Sequence, residues 1–329
     1  MENSLKKVAV VGSGGIAQIH VDAIETLQNI KVVAFSDVII DRANKLAEKF
    51  SCKAYSDFTE MLDNEEIDVL HICTPHYLHV PMAIEALKRG INVLCEKPVA
   101  TNAKELDELK IAVGKSTAQF GVCFQNRYLP SSKMAYELIN SGKAGKVLGT
   151  RGIVTWYRTE EYYTKSGWRG SLKTECGGVM INQAIHTLDL MIWLAGKPVL
   201  VEGKINNHHL KGIIEVEDTA EIFLDLGNDV RGIFFASNAN LKDISPTLDI
   251  WCEHMHILLS GEEIFVDGVL METEKLPAAI GKMCWGVGHK LLIEDFYKKL
   301  DNDDKFPVTL DEASHSVKAI FDLYKSSKG

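Results

Sequence analysis

Several short stretches of this chain combine residue types and spacings that chemistry can use. Gly12-Ser13-Gly14-Gly15-Ile16-Ala17 directly follows the apolar run Val8-Ala9-Val10-Val11 and opens a helical pattern. It fits Gly-x-Gly-x-x-Gly/Ala, in which Gly12 permits a tight turn, Gly14 lets the backbone approach a pyrophosphate, and Ala17 lets helix and strand pack closely. A helix starting at Gly15 and Ile16 offers N–H donors and the positive end of its dipole to an anion. A glycine-rich turn with no ligand satisfies the same spacing. Asp37, about 20 residues past Ala17 at the end of the second strand, stands where an acid accepts hydrogen bonds from an adenosine ribose. Its charge would repel a 2′-phosphate, and the Val38-Ile39-Ile40 that follows supplies no arginine. That pattern favours NAD over NADP.

Lys97 follows the apolar run Asn92–Cys95, at the carboxyl edge where open α/β sheets bind ligands. Its ammonium could hydrogen-bond a substrate hydroxyl and stabilise charge developing there as hydride leaves the carbon. A solvated lysine after a strand reads the same way. Further on, Asn182, His186, Asp189 and Trp193 fall at i, i+4, i+7 and i+11 of a helix over about 178–195 that is otherwise rich in Val, Met, Ile and Leu. A polar stripe there predicts a polar cavity or buried partners. His186 titrates near neutrality and is the natural general base, or else a core histidine satisfied by Asp189. His254-Met255-His256 would put two imidazoles on one strand face, but no third ligand has suitable spacing, so no metal site is expected. His208-His209 is a loop pair without supporting context.

Elements that could hold these residues alternate through the first half. Strands are expected at 8–11, 31–36, 69–73, 92–95 and 120–123, with helices at 16–28, 41–50, 79–89 and 103–114. This predicts a parallel sheet with helices on both faces, an α/β Rossmann domain over residues 1–124. After a helix at 133–140 the rhythm changes to longer β runs: 147–157, 199–206, 219–226, 230–237, 248–259 and 263–266. With the helix at 178–195 and two more at 288–300 and 311–326, they predict an α+β domain over 125–329 with a large, mostly antiparallel open sheet.

Composition narrows the partners. A net charge of −9, with no basic run, argues against nucleic acid. No apolar stretch approaches the roughly 18 residues of a membrane span, and the first residues lack a signal-peptide pattern. Seven scattered cysteines without a CxxC pair read as reduced thiols of a cytoplasmic protein.

Glu96-Lys97-Pro98 at the end of a fifth Rossmann strand resembles the Gfo/Idh/MocA family, the glucose–fructose oxidoreductase and inositol dehydrogenase group. So do the turn Thr74-Pro75-x-x-x-His79, Asn126-Arg127-Tyr128, the run from Gly177-Gly178 through Asn182-Gln183-x-x-His186 to Asp189, and the closing Gly-x-Gly-His at Gly286–His289. The resemblance spans essentially the whole chain. It implies oxidation or reduction of a sugar, polyol or sugar derivative with NAD(P). Lys97 would be the catalytic lysine, joined to Pro98 by a cis bond, and His186 the base. Glu96 would bind a cofactor ribose, with Thr74, Pro75, His79 and Asn126 among the cofactor contacts. Trp168-Arg169 would approach nicotinamide and substrate, with Arg169 using its planar fork or forming a surface salt bridge instead. Asn182, Asp189 and Tyr157 are further substrate candidates, with Tyr162 and Tyr163 beside them.

The resemblance also implies a homodimer or homotetramer through the C-terminal sheet. Two departures stand out. Asn182 occupies a position where many relatives carry a catalytic Asp, and an amide cannot accept a proton. Cys176 replaces a common Gly. Relatives that hydrolyse glycosides with transient help from NAD, or that sense NAD(P) without turnover, are the alternatives.

Overall fold

Continuous apolar runs such as Val8–Val11 form strands covered on both faces, and they set the first of two sheets in the computed structural model, which describes residues 5–274 and 288–327. In chain order the first elements are β1 (Lys6–Val11), α1 (Gly15–Ile24), β2 (Ile30–Ser36), α2 (Ile40–Phe50), β3 (Lys53–Tyr55), α3 (Phe58–Asn64) and β4 (Val69–Ile72). They continue with α4 (His79–Lys88), β5 (Asn92–Cys95), α5 (Ala103–Lys115) and β6 (Phe120–Val122). The strands pair in parallel in the order β3-β2-β1-β4-β5-β6. Strand order reverses between β1 and β4, which opens a crevice at their carboxyl ends where doubly wound sheets bind ligands. β3 and α3 were not expected; β3 is only three residues, too short for an alternation to show. α3 begins at Asp57, whose side chain accepts the Glu60 N–H.

The second series is α6 (Pro130–Asn140), β7 (Val147–Thr155), α7 (Glu160–Thr164), α8 (Ile185–Ala195), β8 (Leu200–Asn206), β9 (Thr219–Asp225), β10 (Arg231–Ser237), β11 (Thr247–Cys252), β12 (His256–Ser260), β13 (Glu263–Val266) and β14 (Val269–Leu270). Eight strands form an open sheet in the order β14-β13-β12-β11-β7-β10-β9-β8. Every pair is antiparallel except β10 with β7. The expected single strand over 248–259 is a hairpin, β11 and β12, turned at Glu253–Met255. His254 therefore sits in the turn and His256 on a strand, where its Nε2 pairs with Asp249 at 2.9 Å. Gly152 and Gly232 let α8 lie close on one sheet face, because a Cβ on Gly152 would meet Met191 at 3.1 Å and Phe234 at 2.4 Å.

Two helices close the chain, α9 (Gly288–Asp301) and α10 (Leu310–Ser326). One compact unit contains the chain up to Gln125 together with the described residues 288–312; the other contains 126–274 and 313–327. A boundary near 124 with everything later in one domain therefore leaves out this return. Its physical basis is aromatic packing: Phe296 and Phe306 lie edge to face at 5.1 Å and close over Gly121 of β6. Gly286 and Cys284 lie outside the described residues.

Candidate active site

In the first unit the glycine-rich turn leaves β1 at the switch point. Gly12 has φ +83°, and a Cβ there would stand 2.6 Å from the Cys73 carbonyl oxygen at the end of β4. Only glycine fits this close approach. Gly14 is different: it is exposed, and a Cβ would meet nothing within 4 Å. Its bare backbone serves nothing inside the protein and leaves room for a ligand. Helix α1 starts there without any side-chain cap. Asp37 is held by two backbone donors, Ser13 N–H at 2.7 Å and Ile39 N–H at 2.8 Å. The buried hydroxyl oxygens of Ser13 and Thr74 have no hydrogen-bond partner among the described residues. An uncapped helix end, an oriented carboxylate and two orphaned hydroxyls fit a dinucleotide laid across the switch point.

Lys97 is half-buried just past β5, and its bond to Pro98 is cis. Beneath it runs a polar chain that the sequence did not announce. Glu96 Oε1 accepts from His20 Nε2 at 3.0 Å and from His289 Nε2 at 3.2 Å. His71 Nδ1 donates to His20 Nδ1 at 2.8 Å, and the Tyr297 hydroxyl donates to His71 Nε2 at 2.8 Å. With His20 and His71 neutral, as burial lowering their pKa values favours, this tautomer set gives each of their N–H groups an acceptor. Burial pushes the Glu96 carboxyl up, but the hydrogen bonds from His20 and His289 outweigh it and hold the carboxyl well below its usual range. Glu96 is thus buried in the first unit with its Oε1 engaged by two histidines, an arrangement that the expectation of a ribose contact did not include. His20, Glu96 and His289 are also the described group whose donor atoms lie within 4.8 Å of one another, as a metal would require; their mutual hydrogen bonds already satisfy them. His79 is 1% exposed, with Nδ1 against the Pro98 carbonyl and Nε2 against the Thr74 carbonyl, both at 2.8 Å. Burial lowers its pKa, and the neutral ring donates to one of these carbonyls, between the loop carrying Lys97 and the turn carrying Thr74 and Pro75.

In the second unit the helix expected over 178–195 opens with a wide π-helical turn, Met180–Ala184, before regular α8. π turns inside helices recur at functional sites. Every residue from Val179 to Ile192 is buried except Asn182 and His186. The extra residue in the turn breaks the stripe read at 3.6 residues per turn. Asp189 faces inward, its oxygens held by Arg127 Nε at 2.7 Å and Nη2 at 2.8 Å, with Ser316 Oγ at 3.0 Å. Trp193 stacks on Tyr136 at 4.4 Å. Asp189 is therefore a buried ion-pair partner of Arg127, a role that its expected place in the substrate stripe did not include.

Arg169 lies over the rings of Tyr162 and Trp168, at 4.6 and 4.7 Å, and its buried Nε has no hydrogen-bond partner among the described residues. Tyr157 is exposed beside His209, ring centroids 5.8 Å apart. Asn126 is half-buried at the start of this unit. Tyr163 packs inside a small cluster with Leu210, Ile214 and Val216, and its hydroxyl accepts from Asn238 Nδ2, so it is a core residue.

Comparison with known proteins decides the family. Residues 6–124 match the model described as "Oxidoreductase family, NAD-binding Rossmann fold", and residues 133–257 match the "GFO/IDH/MocA C-terminal domain". The chain belongs to the Gfo/Idh/MocA family. Glucose-6-phosphate 3-dehydrogenase of Bacillus subtilis (strain 168) is 27% identical over 235 residues, 69% of this chain and 66% of that protein. Inositol 2-dehydrogenase of Rubrobacter xylanophilus is 27% identical over 212 residues, 63% and 55% of the two chains. The chain thus matches about two thirds or less of the length of these curated relatives. The crystal structure of the WlbA dehydrogenase from Bordetella pertussis with NADH and UDP-GlcNAcA superposes with a TM-score of 0.86 at 24% identity, covering 99% of this chain and 97% of that one. Such a likeness shows a shared fold.

Within this Gfo/Idh/MocA chain, two further acids went unnoticed in the sequence. Glu217 is fully desolvated and accepts from Gly178 N at 2.9 Å, Met180 N at 3.1 Å and the Tyr324 hydroxyl at 2.9 Å. Glu175 is completely buried, and burial raises its carboxyl from 4.5 to about 7. Between those values the native chain holds a proton that the unfolded chain releases. The resulting stabilisation is full below about pH 4.5 and is lost as pH rises through 7, a swing on the order of 3 kcal/mol. Urea denaturation across this window is expected to show Glu175→Gln losing less stability with rising pH than wild type. For Asp189→Ala, leaving the Arg127 guanidinium buried and unpaired is expected to cost about 3–5 kcal/mol, measurable as a lower denaturation midpoint at unchanged slope.

Proposed function

We propose that this chain is an NAD-dependent dehydrogenase that transfers a hydride between nicotinamide and a hydroxyl or carbonyl carbon of a sugar, polyol or sugar derivative. The observation carrying this reading is the selective exposure of Asn182 and His186, four residues apart on an otherwise buried helix, in a chain that also keeps Lys97 half-buried at the carboxyl end of β5. Bound NAD would supply the hydride acceptor. His186 takes the hydroxyl proton, as an imidazole titrating near neutrality can do. The Lys97 ammonium steadies charge developing on a substrate oxygen. Asn182 orients the substrate without acting as a base, and Arg169, Trp168 and Tyr157 contribute to holding it. The relatives acting on glucose 6-phosphate and inositol, and the neighbour bound to UDP-GlcNAcA, support a polyhydroxylated substrate.

NAD is the preferred cofactor in this reading, because the Asp37 carboxylate would face a 2′-phosphate with like charge. Asp37→Ala is expected to raise the NADP-to-NAD ratio of kcat/KM by about tenfold or more, a shift of roughly 1.4 kcal/mol per decade. Initial rates with both cofactors check this.

We further infer a homodimer or homotetramer through the sheet face opposite α8, where Leu148, Phe223, Ile233, Phe235 and Trp251 are exposed. A cytoplasmic location accords with six described cysteines that form no disulfide among the described residues, and no described helix is long and apolar enough to cross a membrane. The test of the activity is cofactor reduction across a panel of sugars, inositols and sugar acids with NAD and NADP in parallel. Substrate-dependent NADH supports the reading; silence across the panel with NAD binding intact opposes it.

A further inference from the structure

Glu175 lies seven residues before Asn182 and eleven before His186, in the same unit and completely buried. Its Oε2 accepts the Gly170 N–H at 2.5 Å, and its Oε1 accepts from the Asn182 side-chain amide. Burial raises its pKa, opposed by the bonds from Gly170 and Asn182 and by the Arg169 charge, while Glu217 adds to the rise. Tyr163 of α7 and Tyr324 of α10 also face it, and both phenols are pushed up by burial and by its charge. Arg169, Glu217, Tyr163 and Tyr324 are charged and titratable groups that act on this carboxyl or are acted on by it.

A primary amide carries its acceptor and its donors on opposite arms. With Nδ2 given to a carboxylate at Glu175, Oδ1 is the arm that Asn182 can offer to a ligand hydroxyl. A protonated Glu175 reverses this logic, because its O–H is a donor and would attract Oδ1 instead. The pairing also rationalises the amide at a position where many relatives carry Asp. A carboxylate there would place a second negative charge against Glu175 inside a desolvated site.

We propose that Glu175 is a positioning residue for Asn182: as a carboxylate it holds the amide with its oxygen directed to a substrate hydroxyl, and as an acid it turns the amide around. The role in turnover rests on the dehydrogenase reading above; the coupling between Glu175 and Asn182 does not.

The test follows the Asn182 side-chain amide signals by NMR in the full-length, 15N-labelled protein, assigned by their loss in Asn182→Asp. The expected result is a pH-dependent shift with a midpoint near 7 in wild type, absent in Glu175→Gln. A signal that stays put from about pH 5 to about pH 9, or one that titrates identically in Glu175→Gln, overturns the proposal. Should Glu175→Gln fail to fold, Glu175→Asp keeps the carboxyl one methylene shorter and is expected to move the midpoint; an unmoved midpoint counts against the proposal.

Kinetics on any substrate found in the panel give the second reading. Wild-type KM is expected to rise on the acid side of neutrality while kcat changes less, and this rise should vanish in Glu175→Gln. Persistence of the same rise assigns it to His186 and overturns the positioning role. An NMR titration without turnover on any panel compound supports the coupling and removes the reaction it would serve.

Discussion

Lys97→Ala is expected to lower turnover by about 10³-fold while leaving NAD affinity within a few-fold of wild type. A group that both bonds the reacting oxygen and stabilises its developing charge contributes on the order of 10²–10⁴ in rate. The substitution truncates a half-buried side chain just past β5, so the fold should survive. The loop that carries Lys97 is held independently by His79, whose ring bridges the Pro98 and Thr74 carbonyls. The cofactor cradle of Gly12, Gly14 and Asp37 is built without the Lys97 side chain. Steady-state rates together with NAD titration separate the two outcomes. A Lys97→Ala enzyme that keeps near-wild-type kcat would remove Lys97 from the chemistry.

Gly178→Ala is expected to produce the largest loss of stability, about 4–5 kcal/mol or failure to fold. A Cβ on Gly178 would lie 1.8 Å from the Glu217 carbonyl oxygen and 2.8 Å from its carbon. The obstacle is backbone, and it is pinned from several directions. The same carbonyl accepts the Val179 N–H at 3.0 Å, and the Glu217 carboxylate accepts from Gly178, Met180 and Tyr324. Relieving the clash would tear this clamp from the start of the helix bearing Asn182 and His186. Gly114→Ala in α5 is the matched control, since a Cβ there meets nothing within 4 Å. It should stabilise the chain by up to about 1 kcal/mol through helix propensity. Thermal and urea denaturation of both variants read the contrast directly.

Gly12, Gly14, Ala17 and Asp37 were legible because the Rossmann turn is local: strand, glycines, helix and acid follow at fixed intervals, and the backbone alone dictates which residues fit. Lys97 was legible for the same reason, as the residue just past a buried strand. Long-range pairings were not. Nothing local tells that Glu96 meets His20 and His289, 76 and 193 residues away. His71 offered a faint signal, a polar residue in the middle of the buried strand Val69–Ile72, but its partners lie on α1 and α9. The stripe through Asn182, His186 and Asp189 assumed 3.6 residues per turn, and the π turn at Met180–Ala184 divided it. The hairpin at 253–255 was hidden because neither glycine nor proline marks the turn. The return of residues 288–312 to the first unit depends on Phe296 and Phe306 finding Gly121, a contact written in tertiary packing alone.

The measurement that bears most directly on the central claim is the fate of a deuteron placed on the reacting carbon of whichever panel compound supports turnover. Mass analysis of the cofactor after reaction should find the label on the reduced nicotinamide, one deuteron for each substrate oxidised. Label that returns to the carbohydrate as a glycosidic bond is cleaved, or that leaves for solvent while the nicotinamide stays unlabelled and oxidised, would contradict a net dehydrogenase.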